Sequence, residues 1–165
     1  MSRLGKVAMG SSSATASYQV TPADPTAPGA AALLKTSHAL MQSLFPPDEN
    51  FYLDLDALRG PDIRFFAAFE GETCLGTGAL ALCGGYGEVK SMFVAEDARG
   101  RGIADAILRR IETEARERGL GALKLETGRG LDSAHRLYAR HGFVECAPFG
   151  AYPASPSSIF MHKAL

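Results

Sequence analysis

With 165 residues, 46% of them hydrophobic and 21% charged, the chain has the profile of one ordinary globular domain, which excludes wholesale disorder. Seventeen Lys and Arg against eighteen Asp and Glu leave a formal charge of −1, without the basic excess of a dedicated nucleic-acid binder. One quantity departs from the average: 18 glycines in 165 residues are about 11%, against a usual ~7%. Taken in chain order, Met1 to Ser17 is small and polar, carries Arg3 and Lys6, and has no apolar core of signal-peptide length. Residues 1–17 read as a flexible tail and 18–165 as a single domain. No apolar run approaches the ~18 residues needed to span a bilayer, so a cytoplasmic protein with no membrane partner is expected.

Ser17–Thr21 reads as a short first strand, closed by Pro22, Pro25 and Pro28. From Pro28 to Phe45, Leu33, Leu34, Leu40, Met41 and Leu44 share one helical stripe. Pro46-Pro47 stops that helix, and 50–62 reads as a loop or an irregular second helix. The period then changes to that of strands. Arg64–Glu70 and Cys74–Leu82 flank a short glycine turn, and Glu88–Val94 follows Gly84-Gly85-Tyr86-Gly87. The step from Val89 to Met92 breaks the alternation and predicts a bulge near Ser91–Met92.

Ile103, Ile107, Ile111 and Ala115 recur every fourth residue and predict a long helix. Glu112–Arg116 and Glu114–Arg118 are favourable i,i+4 pairs, and Gly119 stands at the C-terminal cap. Ala122–Glu126 predicts a strand parallel to 88–94 if the helix is its crossover. A last helix runs from Asp132 to His141, with Asp132 or Ser133 as N-cap and Gly142 as stop. Strands around Phe143–Ala147 and Ser158–Lys163 complete an α/β sandwich on a mixed sheet. Cys74, Cys83 and Cys146 have no metal or disulfide spacing, and the four histidines form no zinc motif. Free thiols and no metal are expected.

The stretch that carries chemistry is Met92–Asp105, in which a strand runs into Arg99-Gly100-Arg101-Gly102 and then directly into the amphipathic helix. The first turn of a helix leaves about four N–H groups unpaired and partial positive charge. Glycines there allow a phosphate close to those amides, and the two arginines add charge and fork-shaped donors. The sequence lacks the P-loop pattern, and Gly100-x-Gly102 is followed by Asp105 where a dinucleotide fingerprint has glycine.

Arg99-x-x-Gly102-x-Ala104 resembles the [QR]-x-x-G-x-[GA] signature of the GCN5-related N-acetyltransferases (GNAT family). Ala134-His-Arg-Leu-Tyr-Ala-Arg-His-Gly-Phe143 resembles that family's second signature, and Glu88–Val94 its preceding strand. The resemblance covers Phe65 to Leu165. It implies a GNAT-like fold, with a mixed, mostly antiparallel central sheet flanked by helices. It also implies acetyl transfer from acetyl-CoA to a primary amine by direct attack in a ternary complex. By the same resemblance, Met92, Phe93 and Val94 pair their backbone with the pantetheine arm. Arg99, Gly100, Arg101, Gly102, Ile103 and Ala104 hold the pyrophosphate through backbone N–H groups. Tyr138 protonates the leaving thiolate, which suits a phenol with an ordinary pKa near ~10. Glu88 is the first candidate for the base and Glu126 the second. His38 and His135 read as surface or packing histidines. Leu131 stands where the family often has a cofactor-contacting Asn, with Asp132 or Ser133 as replacement polar groups.

The acceptor is less sharply drawn. Pro148–Pro153 forms an aromatic loop that covers the acceptor side, and Asn50–Leu58 offers Asp54 and Asp56 to a cationic substrate. A small primary amine or amino-acid-like metabolite is the expected acceptor, with a peptide N-terminus or lysine as the alternative. A non-catalytic acyl-CoA-binding regulatory module is a reading of a different class, which Tyr138 together with Glu88 disfavours. Homodimers are frequent in the family. Twelve of the 18 glycines lie between Gly71 and Gly130, the stretch that contains the phosphate turn.

Overall fold

A computed structural model describes residues 17–165; apart from Ser17, the expected tail lies outside the described residues. Seven strands form one sheet: β1 (Gln19–Pro22), β2 (Ile63–Glu70), β3 (Thr73–Leu82), β4 (Gly87–Val94), β5 (Ala122–Gly128), β6 (Val144–Cys146) and β7 (Ser158–Ala164). Three helices, α1 (Pro28–Leu44), α2 (Ile103–Glu117) and α3 (Asp132–Arg140), flank it. The spatial order is β1-β2-β3-β4-β5-β7-β6. Only β4 and β5 run parallel; the other neighbours are antiparallel. The expected mixed, mostly antiparallel sheet flanked by helices is what the chain forms.

Two cores lie on opposite faces of this sheet. Ile103, Ile107, Ile111 and Ala115 of α2 are each 1% exposed or less and pack with Phe66, Leu80, Leu123 and Leu125. A fully buried aliphatic side chain contributes roughly 1.5–3 kcal/mol, whereas each Arg–Glu pair on the outer face adds a few tenths. The isoleucine stripe therefore holds α2, and its ion pairs (Arg116–Glu112 at 3.3 Å, Arg118–Glu114 at 2.7 Å) only trim its surface. Gly78 makes the close approach possible: a Cβ there would lie 2.5 Å from Ile107 Cγ2 and 2.7 Å from Met92 Sδ.

On the other face, α1 packs Ala30, Leu33 and Leu34 against Phe65, Ala67 and Ala79. The expected stripe fails beyond that point, since Leu40 is 38% and Leu44 51% exposed. The second half of α1 borders the functional cavities instead, where Leu40 and Met41 form wall rather than core. A second expectation also fails. Neither Asp132 nor Ser133 caps α3; the N-cap is Leu131, with no side-chain hydrogen bond. The three cysteines are free thiols, Cys74 buried and the other two half-buried. No helix among the described residues is long and apolar enough to cross a membrane.

Two irregularities in β4 place the site. The predicted bulge is present: opposite β3, pairing jumps from Thr77↔Phe93 to Ala79↔Lys90, and Ser91 adopts φ +57°. Thr77, fully buried, donates its hydroxyl to the Ser91 carbonyl at 2.8 Å and fixes the bulge from below. On the other edge, β4 pairs with β5 only through Gly87↔Leu123 and Glu88↔Lys124. Beyond Glu88 the two strands splay and leave a cleft between them.

Candidate active site

The cleft consists of two chambers. The larger, about 580 Å³, lies between the β4–α2 connection and α3. Gly100 (φ +82°) and Gly102 (φ +78°) both take the left-handed conformation, which an L side chain adopts only under strain. Their turn delivers the chain into α2 with Gly102 as N-cap. The first helical bond runs from Ala106 N–H to the Gly102 carbonyl. The N–H groups of Ile103, Ala104 and Asp105 precede it and have no partner within the helix. Open amides, the positive end of a helix and a turn with glycine at 100 and 102 fit an anionic diphosphate.

The two arginines of the turn divide. Arg99 lines the chamber, its Nε 3.4 Å from the Val94 carbonyl and its guanidinium over the Phe93 ring. The Arg101 side chain does not line the chamber: it bonds Glu70 at 2.9 Å and the Ser17 hydroxyl at 2.7 Å, beside Tyr18. Of the two guanidinium groups expected at the anion site, that of Arg99 lies in the chamber and that of Arg101 clasps the start of the domain. Across the chamber, Asp105 of α2 accepts from Arg140 at 2.9 Å and from the His141 ring at 2.8 Å, tying α2 to the end of α3. The Arg140 bond, opposed by partial burial and reinforced by His141, holds the Asp105 carboxyl down at about 2.

The smaller chamber, about 150 Å³, lies on the α1 side. Its apolar wall includes Met41, Phe45, Phe51 and Tyr52, and its charged groups are Glu49, Lys90 and Glu126. Met41, Met92, Phe93, Leu131, Ala134 and Tyr138 line both chambers and form the neck between them. Tyr138 is 6% exposed and stacks edge-on against Phe143 at 5.7 Å, so it is at once a core residue and a neck residue. Burial, with Glu126 adding to it, pushes its phenol well above the usual tyrosine range and keeps it protonated.

The carboxylate candidates separate here. Glu126 lines the smaller chamber and accepts the Ser158 hydroxyl at 2.8 Å. Burial raises its pKa; the Ser158 bond and Lys90 pull the other way, and Glu88 adds to the rise. Glu88 is 9% exposed and does not line the chamber; it accepts the Tyr152 hydroxyl and faces Lys90 Nζ at 3.4 Å. Lys90 also donates to Tyr152 Oη at 2.7 Å and to the Phe51 carbonyl at 3.0 Å. Through this cluster the aromatic loop, where Tyr152 meets Phe149 and Phe160, and the segment around Phe51 are fastened to the sheet.

Asp54 and Asp56 do not line the chamber. Both are exposed, and Asp54 accepts the Ala57 N–H at 2.8 Å within a surface turn. The acidic group that does line it on this side is Glu49, whose carboxylate accepts the Ser157 hydroxyl and which sequence reasoning missed. His38 stacks on Tyr52 with centroids 4.1 Å apart, and the His135 ring meets the Gly128 carbonyl at 2.8 Å. Both rings thus have packing or hydrogen-bond partners. Asp132 and Ser133 line the larger chamber beside Leu131. Among the described residues no cluster has the makings of a metal site.

Comparison with known proteins gives this geometry a context. The family model described as "Acetyltransferase (GNAT) family" matches residues 32–143. The chain is 46% identical over 135 residues to an "IAA acetyltransferase" of Azospirillum brasilense, covering 81% of this chain and 88% of that one. A solved structure of an acyl-CoA N-acyltransferase from Klebsiella pneumoniae superposes with a TM-score of 0.78 at 30% identity, over 90% of this chain and 97% of that chain. A GNAT family acetyltransferase from Elizabethkingia anophelis, solved with acetyl-CoA bound, shares the fold at a TM-score of 0.64 and 17% identity, over 90% and 99% of the two chains.

Proposed function

The chain belongs to the GNAT acetyltransferase family, and from that premise we propose that it transfers acetyl from acetyl-CoA to a small primary amine by direct attack in a ternary complex. The observation that carries this reading is the neck: an anion-binding chamber and an amine-sized chamber meet where Tyr138 stands. The amides of Ile103, Ala104 and Asp105 and the side chain of Arg99 hold the pyrophosphate. The edge of Met92, Phe93 and Val94, which β5 leaves unpaired, offers main-chain groups to the pantetheine amides. Bound so, acetyl-CoA supplies the activated acyl group.

Glu126 accepts the proton that the acceptor ammonium must lose, and its raised pKa makes it a stronger base than an ordinary carboxylate. The amine nitrogen then bonds to the thioester carbonyl carbon, the C–S bond breaks, and Tyr138 gives its proton to the departing sulfur; the second proton that the nitrogen sheds as the amide forms restores the Tyr138 phenol. The Glu126 carboxylate faces the chamber, whereas Glu88 connects to it only through Tyr152 and Lys90; we therefore assign the base to Glu126 and a supporting role to Glu88. Isothermal calorimetry tests the donor half. Wild type binds acetyl-CoA, while Gly102→Asp, which places a strained L residue and a carboxylate at the phosphate turn, abolishes binding with an unchanged circular-dichroism spectrum. Absence of binding in wild type would overturn the reading.

A further inference from the structure

The charges around the smaller chamber restrict the acceptor further, given that this chamber receives it as proposed above. Lys90 is the sole cationic side chain among the described residues that line it. An ammonium has three N–H donors, and those of Lys90 already meet Tyr152 Oη, the Phe51 carbonyl and Glu88. Its side chain is only 11% exposed, and the groups that hold it belong to three separate segments. Lys90 is therefore a spent cation, internal to the wall.

The carboxylates are in the opposite condition. Glu49 and Glu126 each accept one serine hydroxyl, and a carboxylate has room for about four hydrogen bonds. Glu88, behind the wall, already offsets Lys90. The rest of the wall is largely apolar, with Met41, Phe45, Phe51, Tyr52 and Met92, and its other polar groups, Ser37, Asn50 and Thr127 among them, are uncharged. The chamber can thus solvate an ammonium and an apolar body. It has no cation free to receive a carboxylate, which would meet neutral donors at most and two like charges.

We infer that the acceptor is a monocationic primary amine on an apolar, aryl or alkyl body, without a carboxylate, and that free amino acids are discriminated against. Of the two small-molecule classes expected from sequence, the amino-acid-like one is set aside.

The test is a matched pair, 2-phenylethylamine and L-phenylalanine, which differ by that carboxylate, assayed by CoA release with wild type and Glu49→Gln. Like charges forced together cost several kcal/mol, and every ~1.4 kcal/mol is tenfold. Wild type should therefore favour 2-phenylethylamine in kcat/KM by about tenfold or more. In Glu49→Gln that preference narrows. Equal or faster turnover of L-phenylalanine overturns the inference, as does a ratio untouched in Glu49→Gln. Acetyl-CoA binding without turnover of 2-phenylethylamine overturns it too, and turnover of phenylalanyl-alanine amide alone would assign the chamber to peptide N-termini. Failure of the underlying enzyme reading looks different: the calorimetric titration with acetyl-CoA itself is then flat.

Discussion

The two chambers sit on either side of one neck, yet they are made from different materials. The donor chamber is a backbone device: two left-handed glycines, the open amides of a helix and an unpaired strand edge. The acceptor chamber is a side-chain device, in which Glu49, Lys90 and Glu126 come from distant segments and are held by Ser157, Tyr152 and Ser158. Backbone recognition suits a ligand that does not change, because it depends on φ and ψ rather than on which side chains are present. Side-chain recognition can be rewritten by single substitutions. The donor should therefore be the fixed half of this enzyme and the acceptor the variable one.

Variants of the acceptor side and neck sharpen this contrast if they alter turnover while acetyl-CoA binding stays intact, and break it if binding fails with them. The largest effect is expected from Glu126→Gln. General-base catalysis contributes roughly 10²–10⁴-fold, so kcat should fall at least about a hundredfold. The pH profile is the more specific readout. A base with a raised pKa works only when deprotonated, so the wild-type rate climbs with pH through a value above the ordinary glutamate ~4.3. That limb should vanish in Glu126→Gln and persist in Glu88→Gln; the reverse pattern would move the base to Glu88.

Tyr138→Phe should cost less, about tenfold in kcat with unchanged calorimetric affinity for acetyl-CoA. A thiolate with a pKa near ~8.5 is already a fair leaving group. Unaltered kcat would reduce Tyr138 to the packing role that its contact with Phe143 also supports. The smallest change in rate is expected from Thr77→Val, which leaves the Ser91 carbonyl without its buried donor. Loss of one such partner costs about 1–3 kcal/mol, read as a lower Tm. Because the bulge borders the neck, kcat should drop a few-fold, and Thr77→Ser should restore both.

The same division explains what could be read ahead of the fold. The glycine turn is legible because strand, Gly100, Gly102 and helix follow each other within fifteen residues, and each imposes a local conformational demand. The bulge at Ser91 was visible for the same reason, as a break in alternation. The acceptor wall is not legible, since Glu49 meets Ser157 across 108 residues and Lys90 meets Tyr152 across 62. Asp54 looked like a wall residue until its carboxylate was seen to serve its own turn. Arg101 had a plausible task in the phosphate turn, but Glu70 and Ser17 claim its side chain. The exposed Leu40 and Leu44 illustrate the converse: periodicity identifies a helical face, and only the tertiary structure tells whether that face meets core or cavity.

The splay between β4 and β5 has a mechanical consequence. With pairing limited to Gly87↔Leu123 and Glu88↔Lys124, the sheet is two blocks, β1 to β4 and β5 to β7, joined at one end by a short seam. On the proposed binding mode, a donor substrate lying in that gap closes the seam along its length, so ligand occupancy stiffens a junction that is otherwise held by the core under α2. At a ligand concentration one hundred times Kd, mass action adds about 2.7 kcal/mol to stability. The gain should be concentrated as slowed amide exchange along Met92 to Val94, the stretch of β4 that lacks β5 as a partner.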